Sequence, residues 1–176
     1  MTNFAVFLRG INVGGINIKM ADLRTALATL PLARFSTLLA SGNIVCAADV
    51  GPGELKTLVE ACLRENFGYD AWVVVLTQSQ LAGIIGACPY PADNKEQHSY
   101  VTLASEPAVL DNLEELAQAL DDTEITRLSP ESLAWLAPAG GTLDSPFSKL
   151  SSKAKYKPTT TTRNLRTLIK ARDAMT

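Results

Sequence analysis

Arg9, Asn12, Asn17 and Lys19 surround the adjacent glycines Gly14 and Gly15 in one short stretch near the start of the chain. A guanidinium and an ammonium supply positive charge, side-chain amides supply neutral hydrogen bonds, and paired glycines let a ligand approach the backbone. These residue types together suit a small anion. A second polar cluster follows at Ser41-Gly42-Asn43, and a third at Arg163-Asn164 after the run Thr159–Thr162. The glycine spacing in Gly10-Ile11-Asn12-Val13-Gly14-Gly15 departs from both the Walker A loop and the dinucleotide Gly-x-Gly-x-x-Gly pattern. Ser41 could serve as a nucleophile, but it sits in neither Gly-x-Ser-x-Gly nor Ser-x-x-Lys, and the single histidine, His98, is remote in sequence. Asp22, in the first turn of a helix, could act as a general base; an acid there also compensates the helix dipole. The residues therefore specify binding and no particular reaction.

Such a set needs a scaffold to gather it. Phe4 to Leu8 is a continuous apolar run that predicts a buried strand, and the glycine-containing segment after it predicts a loop. Met20, Leu23, Leu27 and Leu30 recur at helical spacing and stop at Pro31. Arg34 to Leu39 and Ile44 to Ala47 predict two strands joined through Ser41-Gly42-Asn43. A second helix carries Leu55, Leu58, Val59, Cys62 and Leu63 and closes at Gly68, before the strand Ala71 to Leu76. Thr77 and Gln80 form a capping box that opens a third helix. The order strand, helix, strand, strand then recurs through His98 to Ala104, a helix opened by Ser105-Glu106-Pro107, Glu124 to Leu128 and Leu133 to Ala137, with no evident closing strand. The expected fold is α+β: two ferredoxin-like, split βαβ halves with antiparallel sheets, residues 1–76 and 77–176. Residues 146–176 are expected to form a basic helical extension that docks on the body.

In a split βαβ unit the first and second strands run parallel with the third between them, so both end at the same edge of the sheet. The loop 9–19 and the hairpin 41–43 are then neighbours, beside the unpaired N–H groups that open the first helix. The candidate ligand set is Arg9, Asn12, Gly14, Gly15, Lys19, Ser41 and Asn43, joined by Arg163 and Asn164 if the last helix delivers them. The plainer alternative makes Gly14-Gly15 a flexible connection and Ser41–Asn43 a hairpin turn.

The 176 residues are 47% hydrophobic and 19% charged, with formal charge −2. That sum hides a division: residues 146–176 hold eight basic side chains against Asp173 alone, +7, which leaves −9 on the rest. The basic segment raises nucleic-acid binding as an alternative function, but RNA-recognition sheets stack bases on paired aromatics that neither Phe4–Phe7 nor Ala71–Leu76 provides. A non-catalytic interaction module is the remaining class, and in it Trp72 and Trp135 need no function beyond the core. On a helical wheel Arg163, Arg166 and Lys170 lie opposite Leu165, Leu168 and Ile169, so one face can dock while the other presents cations. Three cysteines without Cys-x-x-Cys spacing read as buried free thiols of a reducing compartment. One histidine gives no metal set, no cofactor motif is present, and no apolar stretch approaches the length of a membrane span. The N-terminus lacks the basic lead-in of a signal peptide. A soluble cytoplasmic protein is expected.

Phe7-Leu8-Arg9-Gly10-Ile11-Asn12-Val13-Gly14-Gly15, Lys19-Met20-Ala21-Asp22-Leu23, Ser41-Gly42-Asn43-Ile44-Val45 and Thr161-Thr162-Arg163-Asn164 resemble the bacterial domain-of-unknown-function family 1697 in order and spacing. The resemblance spans nearly the whole chain and implies an α+β fold of two ferredoxin-like halves. It implies no activity. The chain departs from the family pattern at Leu165, where a tryptophan usually follows Arg-Asn; an indole that stacked on a ligand would be lost here, whereas one that only packed is replaced by leucine.

Overall fold

The structure, a computed structural model, describes residues 1–9, 16–121, 123–153, 155–156 and 159–175. It divides into two compact units, 1–82 with 170–176, and 83–169.

In the first unit β1 (Thr2–Leu8), α1 (Met20–Leu27), β2 (Arg34–Leu38), β3 (Asn43–Ala48), α2 (Pro52–Phe67) and β4 (Val73–Thr77) follow in that order. The sheet order is β2-β3-β1-β4 and every pairing is antiparallel. Phe4, Val6 and Leu8 alternate onto one face with Ile44, Cys46 and Val73, where they pack with Leu23 and Leu27 of α1 and Leu55, Val59 and Leu63 of α2. Pro52 opens α2, and Gly68, at φ +64°, ends it by donating its N–H to the Arg64 carbonyl. The residues of β1 on the opposite face, Ala5 and Phe7, are buried too. The continuous apolar run is thus a strand buried on both faces.

α3 (Gln78–Ala87) begins with the expected capping box: Thr77 N–H donates to Gln80 Oε1 (2.9 Å) and Gln80 N–H to Thr77 Oγ1 (3.2 Å). In the second unit β5 (Gln97–Ala104), α4 (Pro107–Gln118), β6 (Ile125–Ser129), β7 (Ser132–Pro138), a 3-10 turn (Thr142–Asp144), α5 (Pro146–Ser151) and β8 (Thr160–Asn164) precede α6 (Leu165–Ala174). The sheet order β6-β7-β5-β8 repeats that of the first unit. Both follow the connection of a ferredoxin-like unit, with the first strand central. Trp135 anchors the second core between Tyr100 and Phe147, at centroid distances of 4.8 and 5.0 Å.

The closing strand missing from the sequence reading is β8. Residues 160–164, expected to lead into a helical extension, instead form the edge strand of the second sheet, paired with β5. The reason is local chemistry: a run of β-branched threonines favours extended backbone, and their hydroxyls find partners there, as in Thr102 Oγ1 to Thr162 Oγ1 at 2.8 Å. α6 then buries Leu165 and Leu168 and exposes Arg166 and Lys170, as the apolar stripe required. Among the described residues no helix is long and apolar enough to cross a membrane.

Candidate functional site

The ladder at the end of β1 continues one residue beyond the strand on each side. Leu8 N–H donates to the Gly42 carbonyl at 2.8 Å and Arg9 N–H to the Trp72 carbonyl at 3.1 Å. Arg9 is therefore held between the β2–β3 hairpin and the residue that opens β4. The pairing of Leu8 with Val73 sets Arg9 directly opposite Trp72. The backbone bond makes Arg9 and Trp72 cross-strand neighbours at the end of the sheet, one residue beyond the Leu8–Val73 pair. This adjacency of the loop after β1 to the hairpin is the one that the split βαβ order demanded.

The hairpin turn is unusual. Leu39 has φ +59° and Gly42 φ +83°; glycine takes the left-handed region freely, whereas leucine does so at a cost. Asn43, with 0% exposure, donates Nδ2 hydrogens to the Leu38 carbonyl (2.8 Å) and to Ser41 Oγ (2.9 Å), so its amide holds the turn. Ser41 is exposed beside it. On the far side of the loop, Lys19 is the exposed N-cap of α1 and its carbonyl accepts the Leu23 N–H; its side chain does not cap the helix. Asp22, in the first turn, is exposed. Asn12, Gly14 and Gly15 lie outside the described residues.

Arg9 is half-buried, and burial pulls its guanidinium below the ordinary arginine range. Among the described residues its side chain makes no hydrogen bond and no ion pair. Every other arginine has a partner: Arg24 on Thr37, Arg34 on Asn3, Arg64 on Glu60, Arg127 on Asp111 and Glu114, Arg163 on Thr161, Arg166 on Asn164 and Arg172 on Asp173.

Trp72 was read from the sequence as an ordinary core residue. It is half-buried. Lys56 Nζ stands 4.7 Å from its ring centroid, and the same ammonium donates to the Val73 carbonyl and pairs with Glu60 at 2.8 Å. Val73 N–H in turn donates to Glu60 Oε1 at 3.4 Å, and Arg64 Nη2 to the Ala71 carbonyl at 3.3 Å, so α2 covers the outer edge of β4 with charged groups. Placement at the start of a strand, next to the polar end of the sheet, was the signal available for Trp72.

Arg163 and Asn164 belong to the second unit. Arg163 is not in the first turn of a helix, as its sequence context suggested, but in β8 opposite Val101; it is 7% exposed, and its Nη1 donates to Thr161 Oγ1 at 2.7 Å and the Thr162 carbonyl at 2.9 Å. It therefore does not oppose a helix dipole. Asn164 Oδ1 accepts the Arg166 N–H at 2.9 Å and caps α6.

A pocket of 230 Å³ lies at the opposite end of the first sheet, lined by Asn3, Arg34, Ser36, Val45, Cys46 and Met175 among others. Its polar groups are spent on one another: Arg34 Nη2 donates to Asn3 Oδ1 at 3.0 Å, and Asn3 Nδ2 to Gln78 Oε1 at 3.2 Å. Burial pushes the Cys46 thiol up to about 11, which keeps it protonated and unreactive near neutrality.

Residues 1–133 match the family model described as a protein of unknown function, DUF1697. Comparison with curated proteins gave no match. The structure of conserved bacterial protein SP0830 from Streptococcus pneumoniae is 20% identical, covers 99% of each chain and superposes with a TM-score of 0.81, which establishes a shared fold. A crystal structure of an unknown protein from Galdieria sulphuraria is 11% identical over 93% of this chain and 96% of its own; its TM-score of 0.27 carries no argument.

Proposed function

We propose a function for this chain, which belongs to the DUF1697 family: it binds a small anionic ligand, phosphorylated or nucleotide-like, at the end of the first sheet where the loop 9–19 meets the hairpin 41–43. The observation that carries the reading is the half-buried Arg9 guanidinium without a side-chain partner among the described residues. A charge taken partly out of water costs free energy unless an opposite charge offsets it, and in this unit a bound anion is the natural counter-charge. A guanidinium presents a planar fork of donors that matches phosphate and carboxylate oxygens two at a time. Lys19, at the amino end of α1, adds a second cation where the unpaired helix N–H groups also favour negative charge. Ser41 is the exposed hydroxyl of the adjoining turn, and Asn43 keeps that turn in shape. The sequence offers Asn12, Gly14 and Gly15 as the backbone and amide donors of the same loop. The proposal is one of binding, with no catalytic step assigned.

The test is thermal stability with inorganic phosphate, pyrophosphate, ribose 5-phosphate and adenosine monophosphate as probes. A ligand at a hundredfold excess over its Kd adds about 2.7 kcal/mol, which in a chain of this size raises Tm by roughly 5–10 °C. At least one probe is expected to stabilise the wild type, and none to stabilise Arg9→Ala. A wild type that responds to no probe at millimolar concentration overturns the reading.

A further inference from the structure

We infer that the ligand carries a planar aromatic ring as well as an anionic group, and that Trp72 is the surface on which the ring rests; this deepens, and rests on, the anion-binding reading above. The two side chains are cross-strand neighbours. Arg9 N–H bonds the Trp72 carbonyl at 3.1 Å, one residue beyond the Leu8–Val73 pair, so a molecule whose anion meets the guanidinium can lay its remaining atoms beside the neighbouring indole.

Trp72 is the less enclosed of the two tryptophans. The other tryptophan, Trp135, is 2% exposed, lies between two aromatic rings and donates its Nε1–H to Thr102 Oγ1 at 3.0 Å. Trp72 is half-buried, and its indole N–H has no acceptor among the described residues. A large amphipathic ring left partly exposed next to Arg9 in the ladder is costly as packing and useful as a platform. Lys56 fixes it from one side: its ammonium, anchored by Glu60 and the Val73 carbonyl, stands over the ring, so the indole is oriented before a ligand arrives. Base-on-aromatic stacking tolerates any planar ring, because every base has a π-face. The ligand class this selects is a nucleoside phosphate over a sugar phosphate.

Calorimetric titration of the full chain with adenosine monophosphate and with ribose 5-phosphate tests this. The two share an anion and differ in the ring. The wild type is expected to bind the nucleotide at least about tenfold more tightly, in the range that alanine substitution of stacking aromatics reports, with quenching of the Trp72 emission. Trp72→Leu should bring the nucleotide down to the level of the sugar phosphate and leave the latter unchanged, and Trp72→Phe should restore most of the difference. Arg9→Ala should remove binding of both. Equal wild-type affinity for the two probes, or a Trp72→Leu variant that keeps the difference, overturns the ring contact while the anion site stands. Absence of binding by either probe overturns both readings. A melting curve of each variant separates a loss of fold from a loss of contact.

Discussion

The two halves share one hydrogen-bonding plan and differ in what they hang on it. Where Leu8 N–H bonds the Gly42 carbonyl and Arg9 N–H the Trp72 carbonyl, Ala104 N–H bonds the Glu131 carbonyl at 3.0 Å and Ser105 N–H the Thr159 carbonyl at 3.1 Å. Arg9 thus corresponds to Ser105, Trp72 to Thr159, and Gly42 to Glu131. The link to the following helix is Ser105-Glu106 in the second half, whereas residues 9–19 fill it in the first. The first half carries a cation, a half-buried indole and a longer connecting sequence with glycines; the second carries two hydroxyls and an acid. Its polar groups are instead satisfied internally, through Trp135, Thr102 and Thr162 in the core and Arg127 with Asp111 and Glu114 at the surface. One copy of the repeated scaffold satisfies its polar groups internally, and the proposed ligand site lies on the other.

The largest effect that separates the halves is in the tryptophans. Trp135→Ala empties a core site and should cost about 3–5 kcal/mol, whereas Trp72→Ala, at a half-buried site, should cost about 1–2 kcal/mol. Urea unfolding of both variants checks this, and equal losses would erase the distinction. Next in size is alkaline pH. Folding holds the Cys46 thiol up to about 11 and the Tyr69 hydroxyl up to about 12, both by burial, and Tyr69 has no hydrogen-bond partner among the described residues. The unfolded chain gives up these protons at lower pH, so stability should fall as pH rises from the ordinary thiol range through about 11. Cys46→Ala should flatten that fall by about 1–2 kcal/mol at pH 10.5, at 1.36 kcal/mol per pKa unit, measured against the variant's own stability at pH 8. The smallest effect is at the hairpin. Leu39, 48% exposed with φ +59°, has no left-handed counterpart in the turn at Pro130-Glu131. Leu39→Gly should therefore stabilise the chain by about 0.5–1 kcal/mol; a loss of stability would mean that the leucine side chain contributes more than its backbone costs.

The strand order of the first half, the capping box at Thr77-Gln80 and the neighbourhood of the end of β1 and the hairpin were legible because each rests on local periodicity or turn chemistry followed by one topological rule. β8 was not. Thr159–Thr162 satisfies the preference for a helix cap as well as for a strand, and only its pairing with β5 decides between them. Arg163 was misplaced for the same reason. Trp72 was taken for core because hydrophobicity cannot distinguish a fully buried ring from a half-buried one at the end of a strand. Asn43 was read as a donor to a ligand, and its amide hydrogens go to the turn that contains it, a bond that no spacing rule specifies.

The central claim is that the end of the first sheet, and not its counterpart in the second, receives the anion. The most direct measurement is a backbone-amide NMR titration of the full chain with adenosine monophosphate. The account predicts saturable shifts at Arg9, Ser41, Gly42 and Trp72, none at Ser105, Glu131 or Thr159, and the loss of all shifts in Arg9→Ala. Shifts centred on the second set, or a pattern unaltered by Arg9→Ala, would contradict it.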